Sequence, residues 1–555
     1  MSSTKLHALL SIIAGLLFVW LIAQLAERYR FRWDLTEENR FSISDATKST
    51  LRELDEDVFV EVFLEGELPP EFERFQKSIG ETLDEFSIYG NVQFKFVNPS
   101  EAKNEQARNR FFQSLIQRGI QPTNLNYRKD GQSSQRLIFP GAVVSIGTKE
   151  QAVNLLSGNR SAGKEEVINE SIEGLEYEFI SAITSLTENR KRIGLVTGHG
   201  EPDSTQLAGL TGRVAEKYDL FNVRLANRTE LLTGYDALIL PKPTKAFDEK
   251  EKYLLDQFVM RGGKLLIFYD ALRVNMDSAA GEGTIALPYK TNLDDLLFRY
   301  GARVNKNYVL DLYGGTFPVV TGNFGDQPQI QQLPWPFFPI ITKYGDHPAV
   351  KGMDASLLRF TSSIDTVKAE GIVKTPLLIT SERTKVLSPP VKVAFNDLQR
   401  DLLPEFFTDG PQNVGYLLEG KFRSLYKNRF PPKGMDKRTF VEDGEPSRII
   451  LIADGDVIRN EFDLESGQPL DIGVDPYAGK SYANGELVTR LLDYLTDDDG
   501  LVMIRAKEIK IRPLDKVKVK DEKTKWQLIN VAMPIVLILL FGVGKFYIRK
   551  RKFTS

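Results

Sequence analysis

Two short runs of residues could carry acid–base or metal chemistry in this chain. Gly198-His199-Gly200-Glu201 and Asp454-Gly455-Asp456 each follow an apolar segment with the pattern of a buried strand. Parallel α/β sheets bind ligands beyond the carboxyl ends of their strands. In that position His199 and Glu201 could transfer protons or contact a ligand, and Asp454 and Asp456 could bind a divalent metal ion.

A structural interpretation of both runs competes with the chemical one, and we favour it. The glycines would form tight turns, and the acids would cap the helices that follow. The chain has three histidines and no cysteine, which excludes disulfides, thiolate metal sites and a cysteine nucleophile. The sequence therefore predicts no catalytic residues, no resident metal and no cofactor.

Phosphate-binding patterns are present only as near matches. Residues 158–164 fit GxxxxGK, but Glu165 stands where the loop needs Ser or Thr, and Glu166 follows it. Residues 415–421 fit the same pattern inside a predicted strand, and residues 473–481 have one position too many. We expect no direct nucleotide binding. A net charge of −3 also provides no basic face for nucleic acid.

Two apolar segments bracket the chain, at residues 6–26 and 528–547. Each is long enough to cross a bilayer as a helix of about 20 residues. Trp20 and Trp526 are predicted to anchor these helices at the membrane interface. The first segment could instead be a cleaved signal peptide, but its apolar run is too long and Gln24 is a poor cleavage residue. We therefore predict a two-pass membrane protein.

The basic tail predicts the orientation of these two helices. It contains no acid and five cations, which are Lys545, Arg549, Lys550, Arg551 and Lys552. Cytoplasmic segments carry such an excess, so residues 1–5 and 548–555 are placed in the cytoplasm. Arginines after the first segment and the basic linker at 506–527 argue the other way. Large domains translocate largely regardless of charge, so the body is expected outside the cytoplasm.

The region between the membrane segments is expected to be α/β throughout. After a juxtamembrane segment at 27–55, residues 56–188 follow the order β-α-β-α-β-β-α of thioredoxin-like domains. Residues 189–505 predict a mostly parallel sheet of the class I glutamine amidotransferase-like or flavodoxin-like type, with a β-rich insertion at about 314–390. Without cysteine, the first domain would be redox-inert.

Several motifs together resemble the GldG family, the auxiliary subunits of the gliding-motility ABC transporter. They are Asp34-Leu35-Thr36 with Arg40-Phe41-Ser42, Gly198-His199-Gly200-Glu201, Arg261-Gly262-Gly263-Lys264, and the run from Asp454 to Asn460. The resemblance implies an inner-membrane protein with a periplasmic body, a separate permease and a separate cytoplasmic ATPase. It also implies a middle region like the domain shared with intraflagellar transport proteins. Family members are often called substrate-binding proteins, but no substrate class follows.

Three classes of function remain open at this stage. The favoured one is a non-catalytic transporter subunit whose body binds or guides cargo or couples to the permease. The second is an envelope scaffold for motility or secretion machinery with no transport role. The third is a membrane-anchored hydrolase, which would need His199, Glu201, Asp454 and Asp456 to converge.

Overall fold

The protein is described by a computed structural model. The described residues are 14, 15, 17, 18, 20, 42–101, 104–129, 132–156, 163–226, 228, 230–274, 276–280, 283–324, 327–395, 402–506 and 516–553. Most of the first predicted membrane segment, and the motif residues from Asp34 to Phe41, lie outside this set; Ser42 lies within it. The chain forms two compact units, Met1–Lys507 and Glu508–Ser555.

The first part of the larger unit contains a four-stranded sheet with helices. Its elements are α1 (Asp45–Arg52), β1 (Val58–Val62), α2 (Pro70–Tyr89), β2 (Val92–Phe96), α3 (Glu105–Gln117), β3 (Thr123–Lys129), β4 (Gln132–Ile138), β5 (Gly141–Ile146), β6 (Lys149–Asn154) and α4 (Lys164–Thr187). The sheet has the order β2-β1-β5-β6. β1 is parallel to β2 and antiparallel to β5, and β5 is antiparallel to β6. A thioredoxin-like assignment stays a prediction.

Local sequence signals explain most of these elements. Ser44 caps α1 by accepting a hydrogen bond from the Thr47 N–H at 3.1 Å. One face of α2 is buried through the apolar residues Phe72, Phe75, Ile79, Leu83 and Phe86. Residues 137–146 do not form one strand, because they are divided between β4 and β5. Pro140 lies at this break, where it has no N–H to donate and its carbonyl accepts from Leu155 N–H at 2.9 Å.

The rest of the larger unit is built around an eight-stranded sheet. Its elements are β7 (Arg192–Thr197), α5 (Ala208–Lys217), β8 (Asp219–Arg224), β9 (Ala237–Pro241), α6 (Glu249–Met260), β10 (Lys264–Phe268), β11 (Leu272–Arg273), α7 (Met276–Ala280), β12 (Thr284–Pro288), α8 (Asp294–Tyr300), β13 (Ala302–Val304), β14 (Tyr308–Asp311), β15 (Gly314–Phe324), β16 (Gln327–Ile341), β17 (Lys343–Tyr344), β18 (Ser356–Leu357), β19 (Ile364–Thr366), β20 (Ile372–Ile379), β21 (Thr384–Leu387), β22 (Val391–Val393), β23 (Asn413–Arg423), β24 (Asp443–Ile452), β25 (Asn460–Phe462), β26 (Pro469–Ile472), β27 (Val474–Asp475), β28 (Lys480–Ser481) and α9 (Asn484–Thr496).

The eight strands lie in the order β17-β20-β23-β24-β10-β9-β7-β8. The strands from β24 to β8 are parallel, and β23, β20 and β17 add antiparallel pairs beyond β24. Numbered along the chain, the parallel strands have the order 2-1-3-4-5, one of the two common orders of doubly wound sheets. All five residues of β9 are buried, as expected for a parallel strand covered on both faces.

The described part of the smaller unit is one long helix, α10 (Lys516–Phe553), with Pro534 inside it. Its segment Asp521–Ile548 has a mean hydropathy of 2.2 and no buried residues. Among the described residues it is the one helix long and apolar enough to cross a membrane. The predicted basic linker at 506–527 therefore includes the first turns of this helix.

Candidate functional site

The charged candidates gather at the carboxyl ends of three neighbouring parallel strands. Lys242 follows β9, Asp270 lies two residues beyond β10, and Asp454 and Asp456 follow β24. One carboxylate oxygen from each of the three aspartates lies within 4.8 Å of the others. This spacing would suit a metal ion coordinated by oxygen ligands.

A lysine ammonium already occupies this acidic cluster. Lys242 Nζ lies 2.9 Å from Asp270 Oδ2 and 2.5 Å from Asp456 Oδ1. Arg459 Nη1 lies 2.8 Å from the same Asp456 oxygen. Lys242 and both of its carboxylate partners are largely buried, so these ion pairs are screened little by water. A metal ion would have to displace Lys242 to bind here.

Backbone N–H groups occupy further carboxylate oxygens. Asp454 Oδ1 accepts from Asp456 N–H at 2.6 Å and from Val457 N–H at 3.1 Å, at the start of the short 3-10 helix Asp456–Ile458. The Gly455 N–H donates to Asp270 Oδ1. Backbone donors therefore take up part of the hydrogen-bonding capacity of Asp454 and Asp270, and the capping role of the acids stays a prediction.

Steric packing around Lys242 also restricts the acidic cluster. A Cβ at residue 455 would lie 2.4 Å from Lys242 Cγ, so only glycine fits beside the lysine stem. Lys242 itself has a φ of 53°, in the left-handed region that non-glycine residues seldom adopt. A lysine held in this conformation indicates that the surrounding contacts fix its position.

Burial and the neighbouring charges shift the pKa values in opposite directions. Burial raises the pKa of Asp270, which Lys242 opposes, and burial raises the pKa of Asp454 well above its usual value, with Asp270 and Asp456 adding to the effect. Burial would also raise the pKa of Asp456, but Lys242 and Arg459 outweigh it and hold this pKa below its usual value. Burial would lower the pKa of Lys242, but Asp270 and Asp456 raise it instead.

His199 lies in a separate turn, at the end of β7. Its Nδ1 is 3.5 Å from Glu201 Oε1, and its Nε2 is 3.2 Å from Glu251 Oε2. The ring stacks on Phe247 with centroids 3.7 Å apart, and the side chain is almost fully buried. Burial would lower the pKa of His199, but the adjacent carboxylates of Glu201 and Glu251 outweigh it and raise the pKa.

The partners of His199 have structural roles of their own. Glu201 Oε2 accepts from Gly198 N–H at 2.9 Å and His199 N–H at 2.8 Å, which closes the turn. Glu251 completes a capping box with Asp248 at the start of α6. Gly200 has a φ of 76°, as this tight turn requires. The arrangement joins the β7 turn to α6.

The structure thus brings the predicted site residues into two groups. Among the described residues, the group that could hold a metal consists of three aspartates and includes neither His199 nor Glu201. Sequence reasoning missed Lys242 and Asp270 as members of the acidic cluster. Both directly follow apolar strands, so the strand-end rule that selected Asp454 could have selected them too.

The remaining sequence candidates are two near matches to a phosphate loop and the predicted membrane anchor Trp526. The near match at residues 415–421 lies within β23, where an extended strand cannot wrap a phosphate. Residues 158–162 of the other match, at 158–164, lie outside the described residues. Trp526 is half exposed, and its Nε1 donates to Glu522 Oε2 at 2.8 Å within α10.

Comparison with known proteins identifies the family. A family model described as ABC-type uncharacterized transport system, for an auxiliary component, matches residues 190–490, and a domain of unknown function matches residues 37–145. An uncharacterized protein of Borreliella burgdorferi is 22% identical over 566 aligned residues, covering 99% of each chain.

Two solved structures show weak similarity. The mmIFT52 N-terminal domain has a TM-score of 0.32 at 14% identity, covering 55% of this chain and 98% of that one. The exo-β-1,4-mannosidase Op5Man5 of an Opitutaceae bacterium has a TM-score of 0.21 at 12% identity, covering 61% and 39%. Both scores lie below 0.5, so neither similarity assigns a fold or a function. The family match spans more than half of the chain and includes the parallel strands and their carboxyl ends, so the protein belongs to the family of auxiliary components of ABC-type transport systems.

Proposed function

We propose that this protein is a non-catalytic subunit that anchors a periplasmic body beside an ABC permease of the inner membrane, in a transporter associated with gliding motility. The observation that carries the proposal is the apolar helix Asp521–Ile548 at the end of a chain from a transport-system auxiliary family. The motility association rests on the motif resemblance, from Asp34-Leu35-Thr36 to Asp454-Gly455-Asp456.

The acidic cluster supports a role without catalysis. A general acid or base must be free to reach a substrate, and a catalytic metal needs an open coordination position. Here Lys242 and Arg459 neutralise Asp456, backbone N–H groups occupy Asp454, and His199 lies between two glutamates. ATP hydrolysis would therefore take place in a separate cytoplasmic subunit, and this body would bind or guide cargo or couple to the permease.

Co-purification tests the proposal directly. The tagged full-length protein, extracted in a mild detergent, should bring down an ABC permease and an ABC ATPase. A variant whose residues 528–547 are replaced by an unrelated apolar helix provides the control, because it keeps the anchor but removes any specific helix packing. Recovery of the wild-type protein without either subunit would contradict the proposal and favour the envelope scaffold.

Topology requires its own experiment. Protease added to spheroplasts should digest the body, while the basic tail after residue 547 stays protected. Digestion of the tail with an intact body would reverse the proposed two-pass orientation.

A further inference from the structure

A polar cleft lies between the first sheet and the second within the larger unit. Its volume is about 850 Å³, which is in the range of ligand-binding clefts. β6 lines one wall, α4 and α9 contribute residues to others, and Arg505, from the 3-10 turn Leu501–Ala506, lies against Tyr177. This cleft is distinct from the acidic cluster described above.

The chemistry of the lining excludes several ligand classes. It contains six carboxylates against four cations, and each cation lies within salt-bridge distance of a carboxylate. A polyanion such as a nucleotide would therefore meet excess negative charge. Most of the lining residues are polar or charged, and the aromatic ones are two tyrosines, Tyr177 and Tyr482, so the lining does not suit a lipid chain.

A free strand edge faces this cleft. β6 is the last strand of its sheet, and residues 151–154 line the cleft. Leu155 N–H bonds to the Pro140 carbonyl, and Val153 pairs with Ala142, so these groups face β5. Because successive residues alternate, the N–H and C=O of Ala152 point away from β5. Within the described part of the chain, the one hydrogen bond to the Ala152 carbonyl comes from the Gln151 side-chain amide, at 3.2 Å.

Arg505 supplies the second, independent observation. Its side chain is 10% exposed, and its guanidinium stacks on Tyr177 with the Cζ atom 3.8 Å from the ring centroid. Nη2 reaches Glu178 Oε1 at 3.4 Å, while Nη1 is buried and has no hydrogen-bond partner among the described residues. A buried charged donor is costly to leave unpaired, so a small movement of the Arg505 side chain that brings Nη1 to an acceptor in the cleft would be favourable.

We propose that this cleft binds an extended polypeptide segment of a partner protein, which pairs as an added strand with the free edge of β6. The added strand would bond to the backbone of Ala152 and offer a carbonyl to Arg505 Nη1. The excess of carboxylates selects a segment without net negative charge. This inference rests on the proposed function, because it gives the periplasmic body a place to hold cargo or a partner loop.

The test uses the full-length protein in detergent micelles and a fluorescent probe peptide. The probe has nine residues of alternating Thr and Val with a Lys at each end, and binding is followed by fluorescence anisotropy. Ala152→Pro removes only the outward N–H of the edge strand, so no bond to β5 is lost. Ala152→Val is the matched control, because it retains the N–H and suits a strand.

Ala152→Pro should weaken binding at least about fivefold relative to Ala152→Val, the loss expected for one hydrogen bond. Arg505→Met should weaken it as well, and a probe with Glu at each end should bind less tightly. Circular dichroism and unfolding midpoints should be equal in the two Ala152 variants. Equal affinities of the two variants, or no binding by the wild-type protein, would overturn the proposal.

Two further outcomes separate this site from its alternatives. A change of oligomeric state in Ala152→Pro alone would assign the edge to a second copy of the chain and overturn the proposal of a partner's segment. Peptide binding can also fail while the permease and ATPase still co-purify. In that case the cleft assignment falls and the proposed function stands.

Discussion

Replacing Lys242 with methionine tests whether the ion network holds the carboxyl end of the sheet together. Methionine keeps most of the apolar stem and removes the charge. Asp270 and Asp456 then lose their shared cation, and Arg459, which is more exposed, remains as the cation beside Asp456. The substitution therefore leaves buried carboxylates without full compensation.

The magnitude follows from the burial of the pair. Removing one partner of a buried ion pair lowers the free energy of unfolding by about 3–5 kcal/mol. The Lys242 side chain is 13% exposed and the Asp270 side chain 5%, so this range applies. Lys343→Met is the control, because its pair with Glu382 is exposed on both sides and should contribute no more than about 1 kcal/mol.

The loss of stability in Lys242→Met should also change with pH in a defined direction. Burial already raises the pKa of Asp270 in the folded protein, and Lys242 opposes that rise. Without Lys242, the folded pKa lies further above the unfolded value of about 3.9, so ionisation favours the unfolded state. The deficit of Lys242→Met should therefore be small near pH 4 and grow as the pH rises to 8. Adding Asp270→Asn should restore part of the lost stability at pH 8.

Urea unfolding of the purified full-length protein, followed by circular dichroism at pH 5 and pH 8, measures both effects. The reasoning is refuted if Lys242→Met unfolds at the wild-type urea concentration at pH 8. It is also refuted if Lys242→Met and Lys343→Met lose the same amount, because burial would then make no difference.

Three further predictions use the same protein. Gly455→Ala should lower the free energy of unfolding by about 1–3 kcal/mol, because the added Cβ would meet Lys242. Gly212→Ala is the control, because a Cβ at this position in α5 has open space and should raise the free energy of unfolding by about 0.5–1 kcal/mol. Urea midpoints measure both changes. Millimolar Mg²⁺ should raise the melting temperature of Lys242→Met but leave that of the wild-type protein unchanged; a wild-type shift would support a metal site. His199 has a raised pKa, so its stabilising contribution is complete below about pH 6.5 and is lost as the pH rises through the folded pKa; His199→Gln should flatten this part of the stability profile and keep transport-linked motility.

The elements with apolar periodicity could be predicted from the sequence. β9, β10 and the α2 core face each show a pattern that matches their burial. The amphipathic pattern of residues 165–186 likewise predicts a helix, and α4 spans Lys164–Thr187. In these segments the local pattern and the tertiary burial agree, so no long-range information is needed.

Other elements have no local signal that could reveal them. β3 and β4 are mostly polar, so their pairing over Thr123–Lys129 and Gln132–Ile138 does not alternate in hydrophobicity. The antiparallel addition of β20 and β23 to the sheet also depends on contacts between distant segments. The role of Lys242 is similar, because its partners follow strands that become neighbours only in the folded sheet.

The ion pairs at the carboxyl ends of the parallel strands affect where this protein can bind a ligand. In most open α/β sheets a ligand enters beyond the carboxyl ends of the strands. A ligand there would first have to separate Lys242 from Asp270 and Asp456, at about 3–5 kcal/mol. That loss weakens binding by a factor of about a hundred to several thousand. The edge of β6 in the cleft can be reached without separating a buried ion pair, because β6 is the last strand of its sheet. Binding at the cleft is therefore favoured over binding at the acidic cluster, even though the sequence directs attention to the latter.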